Sequence, residues 1–208
     1  MTDLVTKFVS LGNNCEFGLV QKLYGFDPLD LFRWAGINVV GQLLSALQAK
    51  FADFGTEETV ELQMWPTWPH AAVIDRKYGV YFHSEFSASE IAANAVECRR
   101  EAARKLRFLC AKLVADLETG EKTFVYRQKE PLGSSRIREL HDALSKFGPV
   151  SLLVVNEDHT CAPGTVERLG ARLFLGYSAR LSNENPPQID VEVWKTLCER
   201  THSMRQGD

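Results

Sequence analysis

Residues 122 to 156 contain a strand, a helix and a second strand joined by short loops. The helical part places Ile137, Leu140, Leu144 and Phe147 on one face, and the stretch that follows, "VSLLVVNED", is apolar almost throughout. A strand that is apolar on both faces is buried on both faces, and two strands joined through one helix run parallel. This unit therefore predicts an α/β fold, with a mixed, partly parallel sheet that has helices on both faces.

The rest of the chain adds elements of the same kind. A capping box of Ser87 and Glu90 begins a long helix that ends before Gly120; Cys98 lies on its apolar stripe and is predicted to be buried, and Cys110 is predicted to lie near the core. Because the sequence has neither a repeat nor a linker, we expect residues 1–208 to form a single domain with a small antiparallel element. The other predicted elements are a strand in "LVTKFVSLG", helices in "INVVGQLLSALQAKFADF" and "IDVEVWKTLCERTH", and strands in "TVELQMW", "AAVID", "GVYFHSEF" and "ARLFLGYSARL".

Composition narrows the classes of partner. The chain has 208 residues, 45% of them hydrophobic and 25% charged, with a net charge of -3, which indicates a soluble globular protein and does not favour nucleic acid. It has no apolar run long enough to cross a bilayer and no secretory signal, so we expect a cytoplasmic protein without a membrane partner. Five scattered cysteines without a CxxC pair predict free thiols and no structural metal, and we expect no cofactor; the oligomeric state is left open.

Cys15 lies where the first predicted strand ends and a helix begins. In parallel sheets ligands bind at the carboxyl ends of the strands. A cysteine at the first turn of a helix faces unpaired backbone N–H groups and the positive end of the helix dipole, which favour the thiolate and can stabilise an oxyanion. Gly12 ends the strand, and Asn13 or Asn14 is predicted to cap the helix or to donate to that oxyanion. A small buried hydrophobic residue is the alternative interpretation of Cys15.

A nucleophilic cysteine needs a general base, and histidine is the usual one. His83 is our first choice because it lies at a strand end, where Tyr81, His83 and Glu85 share one face; His159, in a loop after a strand, is the second. A structural, hydrogen-bonded histidine is the alternative for His83.

Two further features of the sequence could contact a ligand. Arg127 follows another strand and could bind an anionic substrate or pair with Glu130. The aromatic stretch "MWPTWPH" could stack on a sugar or a peptide, or cover an edge of the core.

Several of these stretches together resemble a known family. They are "FVSLGNNCEFGLVQ", "LDLFRWA", "YGVYFHSEF" and "TFVYRQ", and they are similar to a bacterial domain family of unknown function that is regarded as a group of papain-like cysteine peptidases. The similarity extends from residue 8 to about residue 157. Its most specific part is the motif S-L-G-x-x-C, here residues 10 to 15, and a weaker part is the pair His83 and Phe86.

The resemblance implies a catalytic pair of Cys15 and His83. A third, orienting residue would lie downstream, for which Asn156 is the first match and Asp158 the next, with Glu85 on the strand of His83 as a further candidate. Many members have P-F-D-W where this chain has Leu31, Phe32, Arg33 and Trp34. The substitution of a basic for an acidic side chain implies a changed preference for substrate charge.

These observations lead to two hypotheses about function. In the first, the protein is a cysteine-dependent hydrolase or acyl transferase that acts on an amide, peptide or thioester in a small-molecule or peptide substrate. In the second, it is a non-peptidase α/β domain, ligand-binding or associated with a transferase. That domain would bind an anionic small molecule such as a sugar nucleotide near Gly12, Arg127 and Asn156.

Overall fold

A computed structural model describes residues 2–13, 15–36, 39–66, 68–128, 130–180 and 188–207. Within those ranges the helices are α1 (Thr2–Val5), α2 (Glu16–Leu23), α3 (Val40–Gln48), α4 (Ala88–Thr119), α5 (Ser134–Ser145) and α6 (Val191–Gln206). The strands are β1 (Phe8–Ser10), β2 (Ala35–Gly36), β3 (Val60–Met64), β4 (His70–Asp75), β5 (Val80–Ser87), β6 (Thr123–Gln128), β7 (Ser151–Glu157), β8 (Val166–Gly170) and β9 (Leu173–Ser178).

The larger sheet has five strands in the order β1-β6-β7-β9-β8. The pairs β1–β6, β6–β7 and β7–β9 are parallel, and β8 pairs with β9 in the antiparallel direction at one edge. In β7, Leu152 and Val154 face the core shared with α3, α4 and α5, whereas Leu153 and Val155 face the core shared with α2 and α6. The predicted α/β fold, with a partly parallel sheet and helices on both faces, is therefore confirmed.

The smaller sheet is antiparallel and has four strands in the order β2-β5-β4-β3. Val73 of β4 pairs with Phe82 of β5. Both side chains belong to the core that also contains Leu152 and Val154 of the larger sheet. Because side chains alternate along a strand, Tyr81 and His83 lie on the opposite face of the small sheet. We call this the outer face; Ala72, the partner of His83 on β4, also lies on it.

Helix α4 begins at the predicted capping box. Ser87 Oγ accepts from the Glu90 N–H at 3.3 Å, and Glu90 Oε2 accepts from the Ser87 N–H at 2.8 Å. The helix is interrupted at Asn94, which has φ -157° and whose side-chain oxygen accepts from the Glu97 N–H, so it acts as a second N-cap. It ends at Gly120 with φ 63°, a conformation that glycine adopts without strain.

Four details differ from the sequence-based predictions. The first predicted strand is shorter, because residues 2 to 5 form α1 and pairing begins at Phe8. Strand β2, with two residues, and strand β8, at an exposed edge, have no clear alternating pattern and were not predicted. Cys98 is half-exposed rather than buried, whereas Cys110 belongs to the core.

Among the described residues, no helix combines the length and the apolar character needed to cross a bilayer.

Candidate functional site

The S-L-G-x-x-C segment places Cys15 at the carboxyl edge of the larger sheet. The Leu11 N–H donates to Val125 O at 2.8 Å, which continues the pairing of β1 with β6 for one more residue. Gly12 and Asn13 then have positive φ values of 86° and 76°, and the chain turns sharply into α2. Cys15 follows at the N-cap position of α2, with no side-chain capping hydrogen bond.

Asn13 does not have the predicted capping role. Cys15 occupies the N-cap position, so the prediction that Asn13 caps α2 is wrong. The side chain of Asn13 instead hydrogen-bonds to the hydroxyl of Tyr126, which is buried in the core. Asn14 lies outside the described residues.

The protonation state of Cys15 also differs from the expectation. Burial raises the pKa of the Cys15 thiol to about 11, and the Arg127 guanidinium opposes this only in part. The prediction that the helix terminus would favour the thiolate is therefore wrong for the resting site. The loss of solvent around the sulfur is the larger effect, and the nearby charge of Arg127 is the smaller, opposing one. Cys15 is half-buried and carries a neutral thiol at pH 7.

Arg127 belongs to a buried cluster directly beside Cys15. Its Nη2 lies 2.9 Å from Glu16 Oε2, and both side chains are 1% exposed. Trp194 Nε1 of α6 donates to Glu16 Oε1 at 3.0 Å. Burial lowers the pKa of Arg127, while Glu16 and then Glu157 raise it. The predicted pairing with Glu130 is therefore replaced by pairing with Glu16, which ties β6, α2 and α6 together.

His83 is half-buried on the outer face of the small sheet. Its ring contacts that of Trp68 with 4.7 Å between centroids, and its backbone N–H donates to Trp34 O at 3.0 Å. Burial lowers its pKa, so the imidazole is neutral at pH 7. Within the described part of the chain, His83 and Cys15 make no hydrogen bond to each other.

Tyr81, on the same strand as His83, has a pKa that the charge of Cys15 would affect. Burial, followed by the charge that a Cys15 thiolate would carry, raises the pKa of Tyr81. Tyr81 and His83 are two residues apart on one strand face, a separation of about 7 Å along the strand. Tyr81 therefore lies within electrostatic range of Cys15, and His83 lies two residues further along the same strand.

Arg33 is part of the fold rather than an accessible basic group. Its side chain is 1% exposed, forms an ion pair with Asp27 and donates to Gly18 O and to Pro28 O, each at 3.1 Å. Its guanidinium carbon also lies 4.6 Å from the ring centre of Trp34. The guanidinium is enclosed by α2 and the loop that follows it, so Arg33 offers no accessible charge, and a changed preference for substrate charge stays a prediction.

The candidates for a third catalytic residue all have other surroundings. Asn156 is buried, and its amide accepts from the Leu132 N–H at 3.0 Å and donates to Leu132 O at 3.2 Å. This exchange fixes the loop between β6 and α5. Asp158 accepts from the backbone and hydroxyl of Thr160, and His159 is 76% exposed. Among the described residues none of these side chains hydrogen-bonds to His83; Glu85 is exposed on the strand of His83.

Other places where a ligand or ion could bind lie away from these residues. Open depressions of about 570 Å³ and 330 Å³ are lined by residues such as Asp53, Arg76 and Ile91, and Cys15 and His83 line neither. In the described ranges no three His, Cys, Asp or Glu side chains form a group that could hold a metal ion.

The comparisons add no relative. No family model, no curated protein and no solved structure matches this chain. The resemblance to the papain-like family consequently stays a prediction, as do the roles that it implies for Cys15 and His83.

Proposed function

We propose that the protein is a cysteine-dependent hydrolase or acyl transferase in which Cys15 is the nucleophile. The observation that carries the proposal is the position of Cys15. It is a half-exposed thiol at the N-cap of α2, at the edge of a parallel sheet where ligands commonly bind. The first-turn N–H groups of Phe17 and Gly18 have no acceptor within the helix, and they can stabilise an oxyanion there.

The resting protonation states define the chemistry. Because both the Cys15 thiol and the His83 imidazole are neutral at pH 7, the thiol must lose its proton as it attacks, as in a serine–histidine pair. His83 accepts the proton while Cys15 Sγ bonds to the acyl carbon of an amide, peptide or thioester. The leaving nitrogen or sulfur then takes the proton back as its bond to the acyl carbon breaks. Water, or a second acceptor, releases the acyl group from the cysteine.

A second candidate function is a ligand-binding domain with an unreactive cysteine. The raised pKa of Cys15 and its lack of a resting hydrogen bond to His83 favour this alternative. The anionic ligand of the original hypothesis is less well supported, because the buried guanidinium of Arg127 already pairs with Glu16.

Formation of an acyl-enzyme separates the two functions. The protein is incubated with thioesters and p-nitrophenyl esters of several acyl groups, and its intact mass is followed with time. The enzyme hypothesis predicts a single acyl adduct on Cys15 that forms more slowly in His83→Ala and is absent in Cys15→Ala. The control variant Cys161→Ala, which removes another half-exposed thiol, should react like the wild type. If no acyl group accumulates on Cys15 and no ester or thioester is turned over, the enzyme hypothesis is wrong.

A further inference from the structure

The outer face of the small sheet carries two pairs of aromatic rings. Trp65 contacts Tyr81 with 5.1 Å between ring centres, and Trp68 contacts His83 with 4.7 Å. All four side chains are half-exposed. Beneath them Ala72, on the same face, is only 1% exposed, which indicates that the rings cover this part of the sheet. The rings form an open, shallow aromatic surface rather than a closed core.

Glycine and backbone pairing keep this surface in place. An added Cβ at Gly36 on β2 would overlap the Tyr81 ring, so the ring lies directly over that backbone. Strands β5 and β4 are paired on both sides, so their backbone groups are used within the sheet. A ligand on this face can therefore contact rings and polar side chains, but it cannot extend the sheet as an additional strand.

The charges on this face disfavour an anion. Gln63, the strand partner of Ala72, and Glu85, two residues after His83, are exposed polar side chains of this face, and burial keeps His83 neutral. Arg76, at the end of β4, pairs with Glu61. Stacking sites for nucleic acids place aromatic rings in a positively charged groove, which this face lacks among the described residues. Carboxylates and amides are instead suitable partners for hydroxyl groups.

We propose that the outer face binds a neutral carbohydrate chain through Trp65, Trp68, Tyr81 and His83, with Gln63 and Glu85 as partners for its hydroxyl groups. A sugar ring presents C–H groups on its faces and hydroxyls at its rim, so it matches rings that are apolar over the face and polar at the edge. Two ring pairs spaced along β5 suit an extended ligand of more than one sugar unit.

Trp68 is the ring whose surroundings should change most. Its Nε1 is buried and has no hydrogen-bond partner within the described residues. The ring of Trp68 is itself half-exposed, so a sugar stacked on it changes the polarity around the indole. Tryptophan fluorescence therefore reports directly on binding.

The test uses the full chain, titrated with neutral tetrasaccharides built from glucose, xylose, mannose or N-acetylglucosamine, and followed by tryptophan fluorescence and calorimetry. We expect at least one tetrasaccharide to bind with Kd of about 1 mM or tighter. Trp65→Ala and Trp68→Ala should each weaken that binding by about tenfold or more. Phe108→Ala removes an aromatic side chain, 63% exposed, from α4, and it should leave Kd unchanged. Circular dichroism of each variant checks the fold.

Three results would overturn the inference. They are the absence of binding by every tetrasaccharide at about 10 mM, binding that neither tryptophan variant weakens, and selective binding of a proline-rich peptide in place of the sugars. The proposed function fails separately. Cys15→Ala should keep the carbohydrate affinity of the wild type, whereas an acyl adduct on Cys15 without sugar binding would remove only the carbohydrate inference.

Discussion

The polar cluster beside Cys15 and the outer face of the small sheet use similar residue types in opposite ways. At the carboxyl ends of the strands of the larger sheet, Glu16 pairs with Arg127 and accepts from Trp194 in the interior, and each of the three side chains is no more than 2% exposed. On the outer face Trp65, Trp68 and their neighbours are half-exposed, and Trp68 Nε1 has no partner among the described residues. The charged residues of the recognisable motifs thus hold the fold, whereas the groups available to a ligand are the thiol and the half-exposed rings.

The largest effect is expected from breaking the buried ion pair. Arg127→Met leaves the Glu16 carboxylate buried without its guanidinium partner, and we expect the free energy of unfolding to fall by about 3–5 kcal/mol. The measurement is urea unfolding at pH 7. Adding Glu16→Gln to this variant should recover part of the loss, since the uncompensated charge is removed.

A matched control uses an exposed ion pair. Arg136 pairs with Glu139 on the surface of α5, where both side chains are at least 40% exposed, and Arg136→Met should cost less than about 1 kcal/mol. Equal losses for the two methionine variants would mean that the cluster beside Cys15 does not hold the fold.

A smaller loss is expected from Gly18→Ala. A Cβ at residue 18 would lie 2.7 Å from Arg33 Cγ and 2.9 Å from Arg33 O, so the buried arginine would have to move. We expect destabilisation of about 1–3 kcal/mol, measured by thermal or urea unfolding. The same change at Gly41 of α3 meets open space and should be neutral or stabilising by up to about 1 kcal/mol. A stable Gly18→Ala protein would show that Arg33 is not fixed by α2.

The smallest change in stability is expected on the outer face. In Gly36→Ala the new Cβ displaces the end of the Tyr81 ring, which can swing outward, so the unfolding free energy should fall by less than about 1 kcal/mol. Near-ultraviolet circular dichroism should nevertheless change, because the contact between Trp65 and Tyr81 is altered. An unchanged spectrum with a large loss of stability would indicate that this face is part of a tightly packed core.

Much of the fold could be predicted from local patterns. The strand-helix-strand unit of residues 122 to 156 and the Ser87–Glu90 capping box depend on neighbouring residues, and the structure contains both. The sequence also predicted that Cys15 follows the C-terminal end of a strand. The sequence could not reveal which side chains surround Cys15 and Glu16, because Trp194, which donates to Glu16, lies 178 residues away along the chain.

The state of Cys15 was not predictable for a related reason. The cost of removing solvent from the sulfur depends on everything packed around it, whereas the helix terminus that favours the thiolate is visible locally. The role of Arg33 was missed in the same way, although the glycine at position 18 was a local signal that something approaches α2 closely.

The most direct test of the account is the pH dependence of Cys15 alkylation by iodoacetamide, followed by peptide mass analysis in the wild type and in His83→Ala. We expect the rate to rise about tenfold per pH unit without a plateau up to about pH 10, since the pKa of Cys15 is raised to about 11. The profile should be the same in His83→Ala, because the two side chains are not bonded at rest. A midpoint below the ordinary thiol value of about 8.5, lost in His83→Ala, would instead reveal a resting Cys15–His83 ion pair and show that the thiol is not neutral at pH 7.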